Sequence, residues 1–260
     1  MAKTTSLARS KRSITIMGRE EAEDNIDTAK IMYPIMQAAD IFLLQTNIAQ
    51  AGIDQRKVHV VARDGALQIK TSPLKDKNGK QIKPIAIHTP ILLGLDMTQK
   101  YGNLLKQDPP EKYLKIIKDS IDEERDIMAM RAKMSKSKTG SSVSIHDDPE
   151  EIREKINAAY CPEHEYNPIL DWIKHLIFYK DDSTLEVKRK EEHGGDKLYN
   201  SFSEIEQDYA EKKLHPQDLK EAVADWLIKK LEPARVYFEN PKRKQALEEI
   251  GRLTSSQSSK

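Results

Sequence analysis

The 260-residue sequence predicts an α/β unit followed by an all-α domain. Three observations predict it. Residues 46–88 read strand, helix, strand, the order of a right-handed parallel βαβ unit. A Lys- and Ser-rich loop at 133–141 runs directly into a helix start at Asp148. After Pro162 the apolar positions recur mostly at helical spacing. These features place the α/β unit at 1–145, the helical domain at 146–254 and a disordered tail at 255–260.

Composition narrows the class. The chain is long enough to bury a core, as one large domain or two ordinary ones. Its 43 basic and 42 acidic side chains nearly cancel, so any nucleic-acid surface must be a local patch. Charged residues make up 33% and the mean hydropathy is −0.70, which fits highly charged helix faces. The single cysteine, Cys161, excludes an internal disulfide and a Cys-based zinc site, and fits the cytosol. No run of about 18 apolar residues reads as a membrane span, and the N-terminus has no apolar signal core.

In chain order, residues 4–22 read as a polar helix with Leu7, Ile14 and Met17 on one side. The next segment, 31–44, is mostly apolar, and Pro34 can open a helix there. Tyr33, Gln37 and Asp40 then stand at i, i+4 and i+7, one polar stripe along an apolar helix. If buried, such groups need partners; the stripe is either a satisfied core network or a pocket for a small polar ligand. Thr46–Ala51 reads as a short buried strand ended by Gly52. Asp54 to Gln68 reads as a helix with Val58, Val61 and Ala62 inward. Gln55 lies in its first turn, beside the strand's C-terminal edge, where open parallel sheets bind ligands. Asn78-Gly79 signals a two-residue hairpin, and 84–88 is the next strand. Residues 96–131 form an excursion with helices near 111–122 and 123–131 and no assigned function.

The loop at Lys133-Met134-Ser135-Lys136-Ser137, extended through Ser141, carries cations on a flexible, hydroxyl-bearing stem. It can close over a polyphosphate and stabilise charge developing on a leaving pyrophosphate, although most Lys/Ser runs are solvated loops. It lacks the glycine pattern of a Walker loop. Asp148 as N-cap, Pro149 at N1 and Glu151 at N3 spell a capping box, with Ile152, Ile156 and Tyr160 on one face behind it. Beyond Pro162, residues 168–179 are amphipathic and 185–190 alternate like a strand. His193-Gly194-Gly195-Asp196 is a turn, Ser203 with Glu206 reads as a second capping box, and Leu214-His215-Pro216 opens the longest helix. Its inward stripe is Leu219, Ala222, Val223, Trp226, Leu227 and Leu231.

The pentapeptide 133–137 matches the second signature of class I aminoacyl-tRNA synthetases. The stretch from Ile152 to Tyr160-Cys161-Pro162, the Tyr33/Gln37/Asp40 stripe, Gly52–His59 and Leu214-His215-Pro216 resemble the archaeal and eukaryotic tyrosyl enzymes. They occur in that family's order over nearly the whole chain. The resemblance implies the C-terminal half of a Rossmann-like parallel-sheet catalytic domain, followed by an all-α anticodon-binding domain. It implies ATP-dependent attachment of L-tyrosine to tRNA(Tyr) through tyrosyl-adenylate, with Mg-ATP as substrate and no tightly bound cofactor. Asp40 would meet the phenol hydroxyl, and Tyr33, Gln37 and Gln55 the α-amino group. Lys133, Met134, Ser135, Lys136 and Ser137 would form the ATP-binding loop, with Lys133 and Lys136 on the phosphates and Ser135 and Ser137 shaping it. His215, Asp218 and, just before the Gly-Gly pair, His193 would read the anticodon. Lys188, Arg189, Lys190, Lys212 and Lys213 are phosphate candidates, each as plausibly a solvated charge. A cytoplasmic homodimer away from membranes follows from the same likeness.

One departure is large. None of the seven histidines lies in the H-I-G-H-like first signature of the class. The chain starts where the second half of the nucleotide-binding fold should start. A truncation, a fragmentary gene product or one chain of a split enzyme with a separate N-terminal half is expected, inactive alone. A catalytically silent tRNA-binding fragment is the alternative.

Overall fold

The computed structural model describes residues 1–14, 27–96, 134, 140–163 and 167–257, with side chains up to Leu253. The chain divides into two compact units, Met1–Ile91 with Pro110–Lys133, and Leu92–Pro109 with Met134–Lys260. The changeover at 91/92 differs from the 145/146 boundary expected from sequence. Its reason is backbone pairing: Leu95 N–H donates to Ser141 O at 3.0 Å and Met134 N–H to Leu92 O at 2.9 Å, so both segments belong with the second unit.

The first unit holds α1 (Leu7–Ser13), α2 (Thr28–Leu43), β1 (Ile48–Gly52), α3 (Arg56–Gly65) and β2 (Ile85–Thr89). The helix expected over 4–22 begins at Leu7, capped by the Ser6 side chain, and its continuation past Ile14 lies outside the described residues. Pro34 does not open α2. Asp27 does, its carboxylate accepting from Lys30 N–H at 2.8 Å, and Pro34 sits inside the helix. A favourable N-cap is worth about 1 kcal/mol, and the helix continues past the N–H that Pro34 lacks.

β1 and β2 pair in parallel from Ile48↔Ile85 to Gly52↔Thr89, with α3 as the crossover. The expected helix from Asp54 starts two residues later, after a 3₁₀ turn at Ile53–Gln55. Val58, Val61 and Ala62 are buried as expected, together with Ala38, Ile41, Phe42 and Ala49. The strand read as buried is so on one face only: Ala49 is buried, but Ile48, Ile85 and Ile87 are about half exposed. Parallel sheets are normally covered on both faces, so this apolar surface is unusual. The Asn78-Gly79 turn is longer than two residues. Asp76 N–H donates to Lys80 O, Gly79 takes φ +78° and Lys75 bridges Gln81, the three-residue loop with glycine in the left-handed position.

The second unit holds α4 (Pro149–Ala158), α5 (Pro168–Trp172), a π-helical turn (Ile173–Ile177), β3 (Leu185–Val187), β4 (Lys197–Tyr199), α6 (Phe202–Ala210), α7 (Pro216–Phe238) and α8 (Pro241–Gln257). The capping box at Asp148 and Glu151 is formed as expected, and Ile152 and Ile156 are fully buried behind it. Tyr160 falls beyond the end of α4. The domain is not wholly helical: β3 and β4 form an antiparallel pair from Leu185↔Tyr199 to Val187↔Lys197. Leu185, Val187 and Tyr199 project into the same core as Ile169, Trp172, Leu219 and Val223. The second cap also shifts. Ser201, not Ser203, caps α6 by accepting from Glu204 N–H at 3.3 Å. That register buries Ile205 and Tyr209. α8 runs to Gln257, so residues 255–257, expected to be disordered, are helical.

His59 and His88 meet inside the first unit, with Nδ1 to Nε2 at 3.0 Å. Burial, then the neighbouring ring, pushes the His59 pKa below its ordinary 6.5. A lowered histidine pKa means the unfolded chain binds the proton more readily, so stability is full above about pH 6.5 and falls as pH drops through the folded value. The denaturant midpoint of the first unit should therefore decrease between pH 7 and pH 5, and His59→Gln should flatten that slope.

Candidate functional site

The polar stripe of α2 survives, but not as a closed pocket. Its opposite side, Ile35, Ala38, Ile41 and Phe42, faces the core. That orientation leaves Tyr33 51% exposed and Asp40 exposed, so the carboxylate is not the buried one that the sequence implied. No described residue stands over it to exclude water. Gln37 is half-buried and donates through Nε2 to Gln55 Oε1 at 3.0 Å. The stripe and the start of α3, 18 residues apart, are thereby joined. Gln37 Oε1 is buried with no hydrogen-bond partner among the described residues, and an acceptor left so costs about 1–3 kcal/mol.

Of the 133–137 loop only Met134 is described; Lys133, Ser135, Lys136 and Ser137 lie outside the described residues. Met134 packs against the core of the second unit. Both ends of the loop are fastened to one segment: Met134 N–H to Leu92 O, and Ser141 O to Leu95 N–H. That segment is itself held. Leu93 N–H donates to Asp171 Oδ2 at 3.0 Å, Trp172 Nε1 donates to Leu93 O at 2.8 Å, and Tyr160 N–H donates to Leu95 O at 3.0 Å.

The three residues expected to read bases come together. His193, His215 and Asp218 line one cleft of about 590 Å³, with Glu163, Tyr209, Lys212, Lys213, Leu214 and Pro216. His215 is the N-cap of α7, its Nδ1 accepting from Gln217 N–H at 3.1 Å. Asp218 is half-buried, and its carboxylate has no hydrogen-bond partner among the described residues. The buried wall is Tyr209, whose hydroxyl donates to Cys161 O at 3.0 Å; burial drives its pKa far above the ordinary tyrosine value, so it stays neutral. Asn167 holds the Cys161-Pro162 turn by donating to Pro162 O at 2.9 Å, while its Oδ1 caps α5. Lys212 ends α6 at φ +59°, a place usually given to glycine, and pairs with Glu163 at 2.8 Å. Lys213 pairs with Glu211.

A family model described as tRNA synthetases class I (W and Y) matches residues 1–131 and 128–232. The chain belongs to that family. It is 48% identical over 243 residues to the tyrosine–tRNA ligase of Thermococcus sibiricus, covering 92% of this chain and 60% of that protein. The Pyrococcus furiosus enzyme is 47% identical over 241 residues, with the same coverage. The chain therefore spans about 60% of the length of these relatives. Among solved structures, tyrosyl-tRNA synthetase of Pyrococcus horikoshii complexed with L-tyrosine superposes with a TM-score of 0.76 at 45% identity. It covers 95% of this chain and 62% of its own. The enzyme of Archaeoglobus fulgidus, also with L-tyrosine, gives 0.63 at 36% identity, with 90% and 59% covered.

Within this class I synthetase chain, sequence reasoning missed Asp171, Trp172, Glu163 and Tyr209. Asp171 and Trp172 read only as parts of an amphipathic helix. Tyr209 carried no signal apart from its spacing from Ile205. Lys212 is testable directly. A lysine at positive φ carries strain that glycine lacks, partly offset by the freedom glycine gains on unfolding. Lys212→Gly should raise stability by about 0.5–1 kcal/mol in urea unfolding while removing one cation from the cleft.

Proposed function

We propose that this chain supplies the tyrosine-pocket helix, the 133–137 loop and the anticodon-binding domain of a tyrosine–tRNA ligase. The observation that carries this reading is the Gln37–Gln55 hydrogen bond, which joins two separate sequence motifs. It leaves Gln37 Oε1 buried and unsatisfied, a natural acceptor for the ammonium group of an amino acid. Tyr33 and Gln55 complete that end of the site. Asp40 accepts from the phenol hydroxyl, a contact phenylalanine cannot make, and one that supports large discrimination when the site closes around it.

The chemistry needs no covalent nucleophile. The tyrosine carboxylate attacks the α-phosphate of Mg-ATP, pyrophosphate leaves, and the tRNA 3′-terminal ribose hydroxyl then takes the acyl group. Lys133 and Lys136 offset charge on the departing phosphates, and positioning supplies much of the rate. The fastened loop ends at Leu92 and Leu95 support this role, because a flap works best on fixed anchors. In the cleft, His215 and His193 stack on unstacked anticodon bases, and Asp218 accepts from a base edge. The partners are tRNA(Tyr), L-tyrosine and ATP, in the cytoplasm.

The 260 residues contain no H-I-G-H-like signature, and the apolar sheet face of Ile48, Ile85 and Ile87 is open. In this reading that face seats the remaining part of the nucleotide-binding fold, and the chain is silent without it. Tyrosine-dependent ATP–pyrophosphate exchange tests the point. The chain alone should give no exchange, and adding the N-terminal part of a Pyrococcus relative should restore it. Exchange by the chain alone would overturn the assignment of what is lacking. The second reading, a tRNA-binding fragment without catalysis, is favoured by the contrast between an assembled cleft and an exposed Asp40. The same assay separates the two: no exchange even with the added part leaves only binding.

The anticodon role has its own test. His215→Ala and Asp218→Ala should each weaken binding of a tRNA(Tyr) anticodon stem-loop by about 1–3 kcal/mol. Asp218→Ala should also relax discrimination against a substituted base.

A further inference from the structure

Of the five cations read as candidates for phosphate contact, Lys190, Lys212 and Lys213 pair with nearby carboxylates, whereas Arg189 is engaged by backbone carbonyls. Arg189 donates through Nε to Gly195 O at 2.9 Å and through Nη1 to Lys213 O at 3.0 Å. The first carbonyl belongs to the loop that carries His193. The second lies two residues before His215. One planar guanidinium therefore spans the two chain segments that present the base-reading side chains. Its backbone takes part as well: Arg189 N–H donates to Asp196 Oδ1 at 2.8 Å. The loop is closed locally by a 3₁₀ turn at Glu191–His193, with Gly194 and Gly195 both at positive φ beyond it, and Arg189 adds the tie from it to the other wall.

The second wall has its own anchor to the β3–β4 pair. Lys213 N–H donates to Asp208 O at 2.9 Å. The Asp208 carboxylate accepts from Lys197 at 2.5 Å and from the Tyr199 hydroxyl at 2.9 Å. Those contacts fix the position of the 211–214 turn, but they do not reach the His193 loop. Arg189 alone, among the described side chains, hydrogen-bonds to both.

We infer that Arg189 is a positioning residue for base selection: it sets the separation of the two walls of the cleft and touches no phosphate. The inference rests on reading the cleft as the anticodon site and goes beyond it by dividing the cations into two roles. A lysine keeps the charge but lacks the fixed fork that reaches two carbonyls at once. Discrimination, which depends on side chains from both walls, should fall when the fork is lost. The salt dependence of binding counts phosphate contacts and should not change.

The experiment uses the full chain, a labelled tRNA(Tyr) anticodon stem-loop, and versions of it with each anticodon base replaced. The readouts are the affinity ratio between native and replaced loops and the slope of log K against log salt. Arg189→Lys and Arg189→Ala should lower the ratio by about tenfold, in the range of one lost base contact, with the wild-type slope. Lys212→Ala, in contrast, should reduce the slope by about 1. A wild-type ratio in Arg189→Lys, or a slope reduced by about 1 in either Arg189 variant, overturns the inference and leaves the site reading standing. Absence of discrimination by the wild-type chain overturns the site reading and the inference with it. If Arg189→Ala does not fold, Arg189→Lys decides the matter.

Discussion

The second unit depends on how the segment Leu92–Leu95 is held. Its backbone groups are taken up by four partners from different places: Met134, Asp171 with Trp172, Ser141 and Tyr160. Leu93, Gly94 and Leu95 are buried, and buried backbone groups must be paired. The pairing decides which parts of the chain share a compact unit, and it explains why residues 92–95 leave the βαβ region for the helical one. It also gives the cationic loop two fixed ends 7 residues apart in sequence, at Met134 and Ser141.

Much of this was legible in the sequence, for identifiable reasons. The capping box at Asp148 and Glu151 formed because every group it needs is local. The parallel βαβ unit formed because strand, helix and strand alternate with no competing pattern. Local signals failed where two of them overlapped. Ser201-Phe202-Ser203 offers two caps, each followed three residues later by a glutamate, and burial of Ile205 and Tyr209 selects the earlier one. Pro34 looked like a helix start because Asp27, the stronger cap, lay further upstream. The β3–β4 pair is only three residues per strand, too short for periodicity to register its partner.

The two candidate sites differ in how complete they are among the described residues. The cleft gathers its histidines and Asp218 from the β3–β4 loop and the α7 N-terminus, both ordered by contacts inside one unit. The α2 stripe presents its groups correctly spaced, yet Tyr33 and Asp40 meet solvent. Sequence order specifies which face of a helix a residue occupies; what lies opposite that face is a tertiary matter. The exposed isoleucines of β1 and β2 make the same point for the sheet, where apolar composition predicted a buried strand without saying what covers each face.

The cap on α7 has a further consequence. A neutral imidazole can offer either a proton or a lone pair at either nitrogen, but in His215 one nitrogen is already engaged by Gln217 N–H. That bond selects, for the neutral ring, the tautomer with its hydrogen on Nε2. It presents a hydrogen and withholds a lone pair, so it favours acceptor atoms on whatever approaches its edge. Reversing that preference would require uncapping a 23-residue helix, which ties the chemical character of one side chain to the integrity of the longest helix among the described residues.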